Sequence, residues 1–239
     1  MPSIYRIIKS AWQLIPENCT DYLRDKRPIR FAISAVNRLT IRTASHQEVY
    51  DERYYNFVDK TALANAPVMA RTLAGRFRVR RVLDVGCGGG ALLLELSKCG
   101  IEVSGLEYSD DGLRRCAERN LAVSKFDLEN KDQVAVPGAR YDMVTSFEVA
   151  EHIPEGLADR FLDVLIGSSD LVVMSAATPG QGGLDHVNEQ PHEYWINKFK
   201  TRGYSYDKSE TDSLRLEWRN SSIDPWYSAN VMVFKKSAA

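Results

Sequence analysis

The sequence lacks several features that would have placed it quickly. No stretch approaches the roughly 18 consecutive apolar residues that a membrane-spanning helix needs. It has no surplus of either charge. Lys and Arg total 31 against 32 Asp and Glu, for a net charge of −1. A protein whose main partner is nucleic acid usually carries a large basic excess, so the balance argues against that partner. Cysteine is scarce: Cys19, Cys87, Cys99 and Cys116 form no CxxC pair and have no histidine at zinc-finger spacing. Cys87 lies inside a glycine run, a poor place for a disulfide, and a reducing cytoplasm is the expected compartment. Residues 1–15 have no long apolar core or small-residue cleavage site, so no secretory leader is expected. No internal repeat is evident.

What is present is ordinary globular material, 44% hydrophobic and 26% charged. The charge is unevenly spread. Residues 1–45 carry eight basic and three acidic side chains, which leaves the remainder acidic. Two amphipathic helices are expected in this basic extension, one with Ile4, Ile7, Ile8, Ala11, Trp12 and Ile15 on a face, the other following Pro28. They either pack on the body of the protein or form a foot for peripheral contact with anionic lipid or another partner. From residue 46 helical character leads into a domain that runs to the end of the chain. Pro67 is expected to start a new helix closed by Gly75. Beyond residue 80, short β-rich runs alternate with helices, which predicts an α/β domain with a largely parallel sheet. The last two strands are expected at 204–206 and 228–234.

The first of these strands leads into Val82-Leu83-Asp84-Val85-Gly86-Cys87-Gly88-Gly89-Gly90. Glycines at such a turn let a ligand touch the main chain. A glycine loop alone is a weak signal, because several nucleotide cofactors use relatives of it. Asp84 narrows the choice: an anion beside the loop repels a pyrophosphate and suits a cationic amino group. Glu107, 21 residues after Gly86, ends the second strand, where an acid can take both hydroxyls of a ribose. Asp127 follows the third strand, placed to accept from an exocyclic amine. A ribose-adenine unit with an ammonium-bearing tail and no phosphate describes S-adenosylmethionine (SAM).

At this point the sequence resembles the class I SAM-dependent methyltransferases, in their small-molecule branch. Residues 82–90 look like the family's first motif, Glu107 with Tyr108 its ribose segment, Asp127-Leu128 its adenine contact, and residues 147–153 the segment after strand four. The resemblance covers roughly residues 50–236. It implies a Rossmann-like seven-stranded sheet, mostly parallel with an antiparallel last strand, preceded by N-terminal helices. It implies SAM as cofactor, held by Tyr54, Asp84, Gly86, Gly88, Glu107, Tyr108, Asp127, Leu128, Phe147 and Glu148.

On the acceptor side, a weak nucleophile needs a base or a metal. His46 lies before the domain and reads as structural. His152 closes Glu148-x-x-Glu151-His152 at the end of a strand, and Glu148, Glu151 and His152 together could hold a divalent ion. That segment is similar to metal-binding segments of quinone-precursor O-methyltransferases and small-RNA ribose methyltransferases, the latter with further histidines downstream, where His186 and His192 stand here. Many relatives with such a segment bind no metal, so a metal-free site is preferred. The stretch 178–195 is rich in hydrogen-bonding side chains and ends in Tyr194-Trp195, which suits a polyhydroxyl acceptor on an aromatic platform. His186 is the first candidate base and His152 the second. The leading expectation is O-methylation of a sugar or glycan hydroxyl. The alternatives are an aromatic or quinone-like acceptor and a non-catalytic SAM-binding or partner-binding subunit.

Overall fold

A computed structural model describes residues 52–133 and 140–237. The basic extension, its helices, Cys19, His46 and Tyr50 lie outside the described residues, as does the expected domain boundary at residue 45. The described residues open with α1 (Glu52–Phe77), then β1 (Arg81–Val85), α2 (Ala91–Lys98), β2 (Glu102–Glu107), α3 (Asp110–Glu118) and β3 (Val123–Lys125). It continues with β4 (Met143–Ser146), short 3₁₀ turns at Ala150–His152 and Glu155–Leu157, α4 (Ala158–Ser168) and β5 (Leu171–Met174). Last come α5 (His192–Lys200), β6 (Tyr204–Tyr206), α6 (Lys208–Arg219), α7 (Pro225–Asn230) and β7 (Met232–Lys236).

The seven strands form one sheet in the order β3-β2-β1-β4-β5-β7-β6. β1 through β5 pair in parallel, and β7 runs antiparallel to both β5 and β6. Central strands covered on both faces must be apolar almost throughout. β5 (Leu-Val-Val-Met) follows this and is buried at its last three positions; β4 (Met-Val-Thr-Ser) is buried at every position although half polar, with the Thr145 and Ser146 hydroxyls donating to Asp84 and the Val85 carbonyl. One face is closed by α4 and α5 through Phe161, Leu162, Leu165, Trp195 and Phe199, with Phe199 stacked on Phe234 at 3.8 Å between centroids. The other is closed by α1, α2 and α6 through Met69, Leu73, Leu92, Leu96, Leu214 and Trp218. Strand order reverses between β1 and β4. In open α/β sheets the crevice at the carboxyl ends of two such strands is where ligands sit.

Three local expectations are corrected. Pro67 does not begin a helix, and Gly75 does not end one; both lie within α1. The buried Met69, Ala70 and Leu73 hold the helix together across the missing hydrogen bond. Ser228 belongs to helix α7, which Pro225 starts at its first turn, and the final strand begins only at Met232. Helix α6 was not anticipated. Its start is nonetheless written in the sequence: Asp207 caps the amide of Glu210 at 3.0 Å, with Glu210 in the first turn and Thr211, Leu214 and Trp218 buried on one face.

Candidate functional site

Asp84 is the next-to-last residue of β1 and is buried. Thr145 on β4 donates to its Oδ1 at 2.8 Å. No cation pairs with it among the described residues. Burial pushes its pKa up to about 7, and Glu107 adds to the rise while Thr145 opposes it. A buried carboxylate held without a counter-ion stores a strong preference for an incoming cation.

Glu107 ends β2 and is buried as well. Its Oε2 accepts from the Gly88 amide at 2.8 Å, and its Oε1 from the amides of Tyr108 and Ser109 at 2.8 and 2.7 Å. Burial still raises its pKa, against these bonds. The Tyr55 hydroxyl, from α1, also donates to Oε1 at 3.4 Å. The sequence offered Tyr50, Tyr54, Tyr55 and Phe57 as an aromatic segment over the cofactor, with Tyr54 taken as its contact. The structure puts Tyr55 on the acid and sets Tyr54 edge-on against it, with centroids 5.5 Å apart.

The glycine loop between β1 and α2 is shaped by close neighbours. Gly86, Gly88 and Gly90 take φ of 73°, 56° and 78°. A methyl group on Gly86 would lie 2.7 Å from Val149 Cγ2, so the loop and the segment after β4 touch where only glycine fits. Helix α1 clasps the same loop. Buried Asp59 bridges Arg115 and Arg119 at 3.1 and 2.5 Å, and Arg119 also donates to the Gly89 carbonyl. This ion pair escaped the sequence reading, because its partners lie 56 and 60 residues apart and share no motif.

Around the adenine-side expectation, Asp127 is half-buried and caps its own turn, its Oδ1 accepting from the Glu129 amide at 2.8 Å. Leu128 packs on the hydrophobic core, and Tyr108 is an exposed aromatic. Phe147 packs against Trp218 and Tyr227, with centroids 5.8 and 6.4 Å away.

The segment after β4 departs most from expectation. Glu148 has φ of 53°, uncommon for a residue with a side chain. The Ser175 hydroxyl holds it there, accepting from the Glu148 amide at 2.9 Å and donating to Oε1 at 2.8 Å. Gln181 donates to Oε2 at 2.9 Å. Both oxygens of Glu148 are thus engaged, and Glu148, Glu151 and His152, which the sequence offered as a possible but not preferred ion site, are not the three whose ligand atoms come together. Glu151, His152 and His186 do so instead, with one ligand atom from each lying within 4.8 Å of the other two.

Glu151 is fully buried, and among the described residues neither carboxylate oxygen meets a donor in good hydrogen-bond geometry. Burial and the neighbouring Glu148 carboxylate drive its pKa well up, against a smaller pull from the amides of Glu151 and Ala177. His152 Nδ1 lies 3.1 Å from the Asp185 carbonyl and His186 Nδ1 lies 2.9 Å from Glu189 Oε1. The two rings meet edge to face at 4.9 Å. Orphaned carboxylate oxygens beside two imidazoles, each tied at Nδ1 to an oxygen, are a donor set that fits a divalent cation.

The loop after β5 brings His186 here but leaves His192 elsewhere. His192 opens α5 and contacts Arg215 Nη2 at 3.3 Å. The expected aromatic platform is also corrected: Trp195 is fully buried in the core and Tyr194 packs on it at 4.9 Å. The exposed aromatic on this side is Trp226, on the helix that contributes Tyr227 and Asn230. Cys87, Cys99 and Cys116 are free thiols. No described helix is long and apolar enough to cross a membrane.

Comparison with known proteins agrees with this frame. A family model described as "Methyltransferase domain" matches residues 46–165. The ubiquinone biosynthesis O-methyltransferase of Bordetella avium is 33% identical over 87 residues, which cover 35% of this chain and 36% of that protein. The match therefore spans about a third of the length of such curated relatives. Among solved structures, a sugar N-methyltransferase from a Streptoalloteichus species superposes with a TM-score of 0.59 at 16% identity, covering 78% of this chain and 92% of that one. Magnesium protoporphyrin IX methyltransferase from Synechocystis gives 0.53 at 18% identity, covering 77% and 84%. At these identities the two structures speak for the fold alone. With half of its length matched by the family model, and with acids at the ends of β1 and β2 in the family's order, the chain belongs to the class I SAM-dependent methyltransferases.

Proposed function

We propose that the protein is a SAM-dependent O-methyltransferase that acts on a hydroxyl of a sugar or glycan. SAM supplies a methyl group already activated on a sulfonium, so the chain has to hold, align and deprotonate. In this reading Asp84 takes the ammonium group and Glu107 the ribose hydroxyls. Tyr55 gives up its bond to Glu107 as the ribose arrives. Tyr108, Asp127 and Leu128 border the adenine, and Gly86, Gly88, Phe147 and Tyr54 complete the walls, while Glu148 shapes the backbone behind them.

The observation that carries the acceptor chemistry is Glu151. A buried Glu151 without a well-formed hydrogen bond, beside His152 and His186, is kept neutral by its proton in the empty site and becomes a charged ligand when a cation takes that proton's place. Glu151, His152 and His186 would hold a divalent ion there, and the ion would lower the pKa of a hydroxyl bound to it. Without one, His186 and His152 are the basic groups on the acceptor side, with His186 as first candidate. The family match starting at residue 46 supports a catalytic domain from there, with residues 1–45 as an extension.

A second reading, a catechol or quinone-like acceptor, is favoured by the curated ubiquinone-pathway relatives, although that likeness covers about a third of their length. The sugar reading draws on the polar loop after β5 and on exposed Trp226. The test is transfer of labelled methyl from SAM to polyhydroxylated glycans and to catechols, each with chelator and with Mg²⁺, Mn²⁺ or Zn²⁺ restored. Label on glycans alone supports the proposal. Label on catechols alone favours the second reading. Cofactor binding without transfer to either class would point to a non-catalytic subunit. Full turnover after exhaustive chelation would remove the metal and leave the histidines as base.

A further inference from the structure

Glu189 lies three residues beyond His186 and outside the cluster of ligand atoms. Its side chain is 5% exposed and that of His186 is 9% exposed. Glu189 Oε1 accepts from the Gly182 amide at 2.6 Å and meets His186 Nδ1 at 2.9 Å, while Oε2 accepts from the Gly180 amide at 2.9 Å. One carboxylate therefore ties both the turn of the loop and the imidazole. The loop is built around that ring, since a side-chain carbon on Gly183 would run into it.

A carboxylate only accepts hydrogen bonds, so the Nδ1 that meets it must carry the proton. A neutral ring protonated at Nδ1 has its lone pair on Nε2. His152 is fixed in the same sense by a different device, the carbonyl of Asp185 at its Nδ1. Backbone carbonyl and buried carboxylate thus impose the same tautomer on two rings that meet beside Glu151.

We propose that Glu189 is the positioning residue that sets the tautomer and orientation of His186, so that Nε2 is presented as a lone-pair donor to an ion or an acceptor proton. This rests on the reading of His186 as a ligand or base and adds the residue that makes it competent for either role. Glu189 touches neither acceptor nor cofactor; it acts through His186.

The test is long-range ¹H–¹⁵N correlation on ¹⁵N-histidine-labelled, metal-free protein at a pH where the imidazoles are neutral, with His186→Gln to assign the signal. In the wild type, His186 should carry its proton on Nδ1. In Glu189→Ala the population should move toward the Nε2–H form. Glu189→Gln, which keeps the shape, should mix the two, because one amide cannot accept from Gly180, Gly182 and His186 together. Mn²⁺ affinity should fall about 10–100-fold in Glu189→Ala, the usual cost of losing an outer-shell partner. The thermal midpoint and S-adenosylhomocysteine affinity report whether each variant folds, and Glu189→Gln carries the test if the alanine variant does not. An Nε2–H wild type, or the same tautomer in wild type and both variants, overturns the proposal, as does a Mn²⁺ affinity that the variants leave unchanged. A wild type with Nδ1–H that binds no divalent ion would sink the metal reading while supporting Glu189 as the residue that orients a base.

Discussion

Because Asp84 is buried without a counter-ion and its pKa is pushed up to about 7, cofactor binding should depend steeply on pH. An ammonium group favours the carboxylate form, so the competent fraction of free protein is the ionised fraction of Asp84. With a pKa near 7, that fraction is about 3% at pH 5.5 and about 75% at pH 7.5, a ratio of roughly 25, or about 1.9 kcal/mol in apparent affinity. S-adenosylhomocysteine keeps the amino group and lacks the reactive sulfonium, which makes it the ligand of choice. Calorimetry between pH 5.5 and 7.5, in buffers of different ionisation enthalpy, should show Kd falling with pH and about one proton released per ligand at the acid end. The sign for stability is opposite. An acid whose pKa is raised on folding binds its proton more tightly when folded, so the cofactor-free protein loses stability as pH rises from about 4 through 7. Cofactor should then raise the melting temperature more at pH 7.5 than at pH 5.5. Asp84→Asn should melt higher than wild type at pH 7.5 without cofactor, and should lose both affinity and pH dependence. A Kd that is flat across this range, or an Asp84→Asn variant that keeps the slope, would refute Asp84 as the ammonium site.

Three further outcomes follow from the same geometry. Glu107→Ala should weaken S-adenosylhomocysteine binding by about 1.5–3 kcal/mol, through loss of charge-assisted bonds to two hydroxyls, and calorimetry with unchanged affinity would take Glu107 off the ribose. Asp59→Ala leaves Arg115 and Arg119 without their buried acid and should cost on the order of 3 kcal/mol in denaturant unfolding, with weaker cofactor binding because Gly89 loses its clasp. Trp226→Ala should raise KM for a sugar acceptor by about 2–10-fold, in line with loss of roughly 0.5–1.5 kcal/mol of ring contact, and leave cofactor affinity alone; an unchanged KM would place Trp226 outside the acceptor site.

Much of the fold could be read because the signals are local. An apolar run such as that of β5 is what a strand covered on both faces requires, and α2 follows directly from the glycine loop. The misreadings came where a local rule met a tertiary one. Pro67 is a helix breaker by propensity, yet Met69, Ala70 and Leu73 are buried against the sheet, and that packing outweighs one missing hydrogen bond. Ser228 sits in an apolar stretch leading into β7, and periodicity alone could not separate the short helix α7 from the strand that follows it. Pro225 at the helix start was the available cue.

The cofactor side was legible for a different reason. Acids at fixed positions on strand ends carry the family resemblance, so Asp84 near the end of β1 and Glu107 at the end of β2 could be placed before any coordinates. The acceptor side was not, because a sequence cannot distinguish a polar side chain that faces a ligand from one that faces its neighbour. Residues 178–195 read as a surface for hydroxyls, yet Gln181 is bonded to Glu148 and to Asn230, and Glu189 to Gly180, Gly182 and His186. The polarity of these two side chains is spent within the protein, on holding the loop and meeting one imidazole. Glu148 and Glu151, three residues apart and alike in charge, were equally good ligand candidates on paper. Ser175 and Gln181 engage the first, and the second is left buried with both oxygens bare. The difference between them is fixed by residues 27 and 33 positions beyond Glu148, and with Glu148 engaged it is His186 whose ligand atom gathers with those of Glu151 and His152.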